Sequence, residues 1–413
     1  MPNAVVKRAF RYRFYPTDSQ ASELIRTFGC VRKVYNLALT ARTEAWQQRG
    51  EHSNFAATSA LLTEWKRSDE LAFLNEVSSV PLQQALRHLQ SAFVAFWDKR
   101  ARYPRYKSRK KSQDSATYTR SAFRFKDGQL ILAKMTEPLK IVWSRPLPDG
   151  VLPTSATVTR DSADRWFVSL VCDDAGVQPL PRTETAIGID MGLHSLLTLS
   201  TGEKISNPAH ERRSRTRLAR AQRAVQRKVP GSANRRKARI TLARVHARIA
   251  DRRRDSLHKL TTRIVRENQT LVIEDLPVRN MIKNRHLARS ISDAGWGTFR
   301  NMLEYKADWY GREVIVIDRW FPSSKLCSTC GWRNEQTSLR VRAWRCDDCG
   351  ATHDRDVNAA KNILAAGRAA TVCGDDVRPR RNRPARRSSV KQKTPAREGL
   401  EPLSATESGR RQP

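Results

Sequence analysis

CSTCGWRNEQTSLRVRAWRCDDCGATHDRDVNAAKNI, residues 327–363, is the stretch that decides how the rest of the chain is read. Cys327 and Cys330, a spacer of fifteen residues, then Cys346 and Cys349 make two C-x2-C pairs. Four thiolates at that spacing form a tetrahedral zinc site with no open coordination position, so the metal would fold the chain rather than do chemistry. The competing reading is a redox pair or a disulfide. Asp354 and Asp356 follow Cys349 by five and seven residues, at the start of a helical run. A metal-folded knuckle that hands the chain to acidic residues points to an enzyme acting on nucleic acid. The rest of the chain must then supply further acids and a basic surface.

The basic surface is plain. The chain has 413 residues, enough for two or three domains, and 77 Lys+Arg against 41 Asp+Glu give a net charge of +36. Such an excess calls for a polyanion partner, nucleic acid first, held by phosphate neutralisation and counterion release. Of the 7 cysteines, four belong to the knuckle and Cys30, Cys172 and Cys373 are scattered. That is no disulfide framework, so a reducing, cytoplasmic setting is expected. The basic N-terminus lacks the apolar core of a secretory leader, and no run approaches eighteen apolar residues, so no membrane span is expected.

In chain order, residues 5–15 alternate apolar and basic and predict a strand with one cationic face. Helical spacing of Leu24, Phe28, Val31 and Tyr35 predicts a helix over 18–46, capped near Thr17, and Leu82, Leu86, Leu89, Phe93 and Trp97 predict another over 81–102. Residues 100–111 interleave Arg and Lys with Tyr103 and Tyr106, a mixture suited to phosphate contact plus base stacking, or else a solvated linker. Short strands then follow to about residue 173. With the first strand they predict a small β-barrel (1–15 and 116–178) interrupted by a helical domain (16–115).

From residue 179 the pattern becomes α/β. A buried strand over 185–192 presents Asp190 in its last turn, and a hairpin turns about Thr201-Gly202. A long arginine-rich helical stretch, 210–268, is broken at Pro230-Gly231. A second buried strand ends in Glu274-Asp275, a helix spans 295–310, and a third core strand spans 313–318. The last helix begins near Asp354. This order predicts an α/β domain with a mixed sheet, residues 179–369, carrying the knuckle as an insertion at 322–352. Residues 370–413 read as a disordered basic tail.

Asp190, Glu274 and Asp356 stand at ends of core elements. Brought to one edge they would bind Mg²⁺, a hard cation that prefers oxygen ligands. Two such ions roughly 4 Å apart can hold the attacking water and the leaving oxygen of a phosphodiester in line. Neighbours compete for the role: Asp275 with Glu274, and Asp354 with Asp356, although Asp354 is well placed to cap the helix. Alternation separates Glu274 from Asp275 without saying which faces inward. His353 could lie at the surface or approach the site. No phosphate-cradling glycine loop and no Ser/His/Asp arrangement stands out.

Cys327-x2-Cys330-Gly331, Trp344-x-Cys346-x2-Cys349-Gly350 and His353-Asp-Arg-Asp356-Val-Asn-Ala-Ala-Lys-Asn-Ile363 strongly resemble the C-terminal signature of the TnpB (OrfB) family, the accessory "transposases" of small bacterial insertion sequences. Gly188-Ile-Asp190-Met-Gly192, Val272-Ile-Glu274-Asp-Leu276, Tyr12-Arg-Phe-Tyr-Pro-Thr17 and Tyr103-Pro-Arg-Tyr106-Lys-Ser extend the resemblance over residues 4–370. The family is similar to the ancestors of type V CRISPR effectors. The resemblance implies an RNase H-like (RuvC-type) nuclease domain holding Mg²⁺, an inserted four-cysteine zinc finger, and an N-terminal oligonucleotide-binding-like β-barrel with a helical insert. It implies Asp190, Glu274 and Asp356 as the catalytic acids. It further implies a guide RNA made from the element's own end, which directs cleavage of double-stranded DNA. The expected activity is thus RNA-guided DNA cleavage. A strand-transfer transposase acting on element ends, or a non-catalytic nucleic-acid binder regulating transposition, would use many of the same features.

Overall fold

The computed structural model describes residues 6–148, 150–174, 176–335 and 341–373. The expected tail falls outside them from residue 374 onward; residues 370–373, assigned to it from the sequence, instead continue the last helix.

Strand β1 (Val6–Tyr15) buries Phe10, Tyr12 and Phe14 on one side, the period-2 alternation of a half-buried strand. Thr17 and Gln20 then form a reciprocal capping box: the Gln20 amide donates to the Thr17 hydroxyl at 3.3 Å, and the Gln20 side chain accepts from the Thr17 amide at 3.1 Å. That starts α1 (Asp18–Arg49), which is followed by α2 (Phe55–Arg67) and α3 (Ser79–Trp97). Six strands follow: β2 (Asp114–Thr119), β3 (Phe123–Lys126), β4 (Gln129–Leu132), β5 (Lys140–Val142), β6 (Ser155–Arg160) and β7 (Trp166–Asp174). Five strands make one antiparallel sheet in the order β2-β6-β7-β1-β5, while β3 and β4 pair as a separate hairpin. The N-terminal strand sits inside this sheet, in register with β7 from Val6↔Asp174 to Phe14↔Trp166. The helices do not build a core of their own. Phe14 from β1, Leu24 and Phe28 from α1, Leu86 from α3 and Val168 from β7 belong to one continuous buried cluster.

The second half begins with β8 (Ala186–Met191), β9 (Ser195–Leu199) and β10 (Lys204–Ser206). The arginine-rich stretch then folds as α4 (His210–Arg213), α5 (Arg215–Gln226) and α6 (Ala233–Glu267). Gly231, with φ 85°, takes the left-handed turn between the last two, and Leu218, Ala221, Val245 and Ile249 zip them together. Next come β11 (Thr270–Glu274), α7 (Val278–Met281), α8 (Ala288–Ala294), α9 (Trp296–Tyr310) and β12 (Glu313–Ile317). The sheet order is β10-β9-β8-β11-β12. β8, β9 and β10 are antiparallel neighbours; β8, β11 and β12 run parallel, so their C-terminal ends share one edge. The knuckle strands β13 (Ala343–Arg345) and β14 (Thr352–Asp354) pair, and α10 (Arg355–Cys373) closes the described chain.

This sheet is covered on both faces, which is why its strands read as near-continuous apolar runs. Ile187 and Ile189 of β8 and Leu271 and Ile273 of β11 pack with Leu257 and Ile264 of α6 and Phe299 and Leu303 of α9. The alternate residue Val272 packs with Ile315, Ile317 and Ile363 of α10 on the other face. Gly188 permits the close crossing of α10. A Cβ there would lie 2.1 Å from the Ala360 carbonyl oxygen and 2.7 Å from the Leu364 amide, so only glycine fits.

Candidate active site

Strand parity and register place the acids. Val272 of β11 lies opposite Gly188 of β8 and Ile273 opposite Ile189, and both Val272 and Gly188 face α10. Two residues on, Glu274 and Asp190 return to that same face on adjacent strands. Adjacent strands lie about 4.8 Å apart. α10 runs with its N-terminal turn toward the same edge, and Asp356 stands in that turn. The three acids named from the sequence therefore converge at the C-terminal edge of the parallel strands.

Their electrostatics record the convergence. Burial pushes the Asp190 carboxyl up to about 7, and the charges of Glu274 and Asp356 push the same way. Burial also raises Glu274, offset in part by the Ser323 hydroxyl, which donates to its Oε1 at 2.6 Å. Arg342 donates to Asp356 at 3.3 Å. The acids interact through charge but do not close on one another. Among the described residues, the four cysteines are the group whose ligand atoms all lie within 4.8 Å.

The competing acids have other partners. Asp275 points to the opposite face, where Arg300 of α9 donates to it at 2.7 Å and Arg319 donates to its other oxygen. Burial would raise its pKa, but these two guanidiniums outweigh burial and hold it below the usual carboxylate range. Asp354 accepts the Val357 amide at 3.1 Å, the cap expected of it, and Lys204 at 2.6 Å. These contacts likewise outweigh burial and lower it.

In the knuckle, Cys327 and Cys349 lie 3.6 Å apart, as do Cys330 and Cys346, and all four are free thiols. A tetrahedral ion with bonds of about 2.3 Å needs sulfurs separated by roughly 3.8 Å, so the spacing fits zinc and rules out disulfides in this state. His353, ambiguous in sequence, is buried under the cluster. Its Nε2 is 3.0 Å from the Cys327 sulfur, and its ring lies 4.9 Å from that of Trp344. Burial pushes the Cys327 thiol up, but hydrogen bonds from the Cys330 and Thr329 amides and from His353 outweigh it and bring it down, whereas Cys330 and Cys349, against the pull of the Trp332 and Ala351 backbone, are pushed up by burial and by neighbouring thiols.

Three polar residues that sequence reasoning missed connect knuckle to acids. Asn358 and Asn362, buried and one turn apart on α10, clasp the first knuckle loop. Asn358 accepts from the Ser328 amide at 2.8 Å and donates to the Leu326 carbonyl at 2.6 Å. Asn362 donates to the carbonyls of Ser323 at 2.8 Å and Leu326 at 2.7 Å. Ser323, in turn, holds Glu274. Two Asn four apart on one helix face is the available signal for the pair; Ser323 carries none. The sequence suggests stacking for Tyr103 and Tyr106. Their hydroxyls bond Thr43 at 2.8 Å and Thr40 at 3.1 Å on α1, so they also brace that helix.

Comparison with known proteins fits this geometry. A family model described as "Probable transposase", of the OrfB/IS605 type, matches residues 159–285, and a Cas12f1-like TNB domain matches 296–363. A third, described as a helix-turn-helix domain, matches 1–51, where the described chain holds one strand and one helix. A Streptomyces pristinaespiralis protein named "Putative RNA-guided DNA endonuclease" is 67% identical over 388 residues, covering 94% of this chain and 96% of its own. The Escherichia coli K12 protein InsQ, of the same name, is 33% identical over 391 residues, covering 90% and 94%. A solved structure of a Cas12f1–sgRNA–target DNA complex shares the fold with a TM-score of 0.53 at 16% identity, over 83% of this chain and 82% of that one. With acids, knuckle and sheet order in place and relatives matching along nearly its whole length, the chain belongs to the OrfB (TnpB) family of IS605-type insertion sequences.

Proposed function

We propose that this chain is an RNA-guided DNA endonuclease whose RNase H-like domain hydrolyses DNA at Asp190, Glu274 and Asp356. The observation that carries the reading is the convergence of these three acids on one sheet edge, with Asp190 pushed up to about 7 by burial and by its two acidic neighbours. A cluster of partly buried carboxylates is costly unless cations neutralise it. An oxygen-only donor set suits Mg²⁺. Bound there, Mg²⁺ would activate a water and stabilise the leaving oxygen of the phosphodiester. The chain's own groups do the rest. Ser323 orients Glu274, the α10 clasp orients Asp356, and the Asp275 and Asp354 side chains are kept off the site by their cations. Cys327, Cys330, Cys346 and Cys349 hold structural zinc, with His353 donating to the Cys327 sulfur. The sheet of β1, β2, β5, β6 and β7 is the oligonucleotide-binding-like part, and the basic faces hold RNA and DNA.

The RNA guide follows from family membership and from the names of the relatives. Purification from cells that carry the element, followed by sequencing of bound RNA, should return one defined species from the element's end. A random RNA population would remove the guide from this reading. Joined DNA ends formed without RNA would favour strand transfer instead.

A further inference from the structure

Trp320 has no role in the site as described, yet its placement is unusual. It is 84% exposed, the most exposed large apolar side chain among the described residues. It also sits on a short loop with both ends tied to the acids. β12 ends at Ile317, in register with Glu274, and the Asp275 amide donates to the Ile317 carbonyl at 3.2 Å. The next residues form a tight turn: the Phe321 amide donates to the Asp318 carbonyl at 3.2 Å, and the Asp318 side chain accepts the Trp320 amide at 2.8 Å. Arg319 is bound to Asp275 on one side of Trp320. On the other, Phe321 packs against the cluster of Val272, Ile315, Ile317 and Ile363, and Ser323 bonds Glu274. The loop leaves the catalytic edge, turns, and returns to it within six residues, with Trp320 at its tip. The segment that follows β11 carries exposed Arg279, Lys283, Arg285 and Arg289, the last within 3.9 Å of Glu211.

We propose that Trp320 is a stacking platform for an unpaired base of the DNA strand entering the acid site, next to the phosphate to be cut. The inference rests on the nuclease reading above. An indole on a pinned loop loses little freedom when it binds, and every base offers it a flat face. Cations after β11 would hold the backbone while Trp320 fixes the base, setting where along the strand the scissile phosphate meets Asp190 and Glu274. Trp320 would be a positioning residue, without contact to the reacting atoms.

The test is a mutant cycle between protein and DNA, using the full-length protein with its bound RNA and a guide-matched duplex. Single abasic sites are placed in turn at each position near the cut, and single-turnover cleavage is measured. In wild type, one position should slow cleavage about 5- to 150-fold when its base is missing, the range expected of one base–aromatic stack. Trp320→Ala should slow the intact duplex by a similar factor and be indifferent to the abasic site at that position. Trp320→Phe should recover most of the rate, and all variants should melt at the wild-type temperature because the side chain is exposed. Unchanged cleavage by Trp320→Ala, additive losses at every position, or a Phe variant as slow as Ala would each overturn the inference while leaving the nuclease intact. A wild-type protein that cuts no matched duplex removes the nuclease reading, and this inference with it.

Discussion

Adjacent acids in this chain have opposite fates, and a one-residue step decides them. Glu274 and Asp275 point to opposite sheet faces: one lies beside Asp190, the other between Arg300 and Arg319. Alternation separates the two in the sequence but carries no absolute direction. That direction comes from Gly188 and Val272, which mark the α10 face by packing against Ala360 and Ile363, far along the chain. Asp190 yields a pH prediction. Its folded-state value, about 7, lies above the ordinary carboxylate value, so without metal the fold loses stability as pH rises from the carboxylate range through 7. Above that range the ionised site should bind cation better. Added Mg²⁺ should therefore raise the melting temperature more at pH 8 than at pH 6, and Asp190→Asn should shrink that difference. A Mg²⁺ effect equal at both pH values would contradict the assignment of Asp190.

At the scale of elements, the knuckle and α10 act as one unit. The four cysteines are legible from spacing alone because metal ligation tolerates few alternatives. The clasp by Asn358 and Asn362 is not, since an Asn on a helix gives no hint of what it will bond. Asn358 alone pairs the Ser328 amide, whereas the Leu326 carbonyl keeps Asn362, so losing Asn358 strands one partly buried backbone group at a cost of about 1–3 kcal/mol. Asn358→Ala should lower stability by that order and lower cleavage further, by loosening Asp356, while zinc content stays at one per chain. Zinc content is read by atomic absorption, and loss of zinc in this variant would place Asn358 in the knuckle's own fold instead. Cys346→Ser should lose zinc and lower the melting temperature; a variant with full zinc would show that Cys346 is not a ligand. The long arginine-rich stretch is legible as helical but not as an antiparallel pair, because its packing joins residues on either side of Pro230-Gly231.

For the whole molecule, charge and architecture point the same way. The net charge of +36 sets the partner class from composition. The structure locates part of it on α5 and the residue that ends it, where Arg220, Arg223 and Arg227 are exposed while Leu218 and Ala221 fill the α5–α6 seam. Replacing all three with Gln should weaken nucleic-acid binding and flatten its log–log salt dependence by up to about 3 units, near 0.9 for each phosphate no longer neutralised. An unchanged slope would exclude that face from the interface. The mixed sheet is legible from strand and helix order. The sharing of one core between the N-terminal sheet and its helices is not, since it depends on packing between distant apolar stripes. No helix among the described residues is long and apolar enough to cross a membrane.

The most direct measurement is cleavage of a DNA duplex matching the co-purified RNA, with Mg²⁺, by wild type and by Asp190→Ala. The account predicts that wild type cuts the matched duplex, spares an unmatched one and stops when Mg²⁺ is removed. It predicts that Asp190→Ala binds the same RNA but cuts at least about a thousandfold more slowly, on the order of the 4 kcal/mol that such a loss represents. Cleavage by Asp190→Ala at the wild-type rate, or no cleavage by wild type with its RNA and Mg²⁺ present, would contradict it.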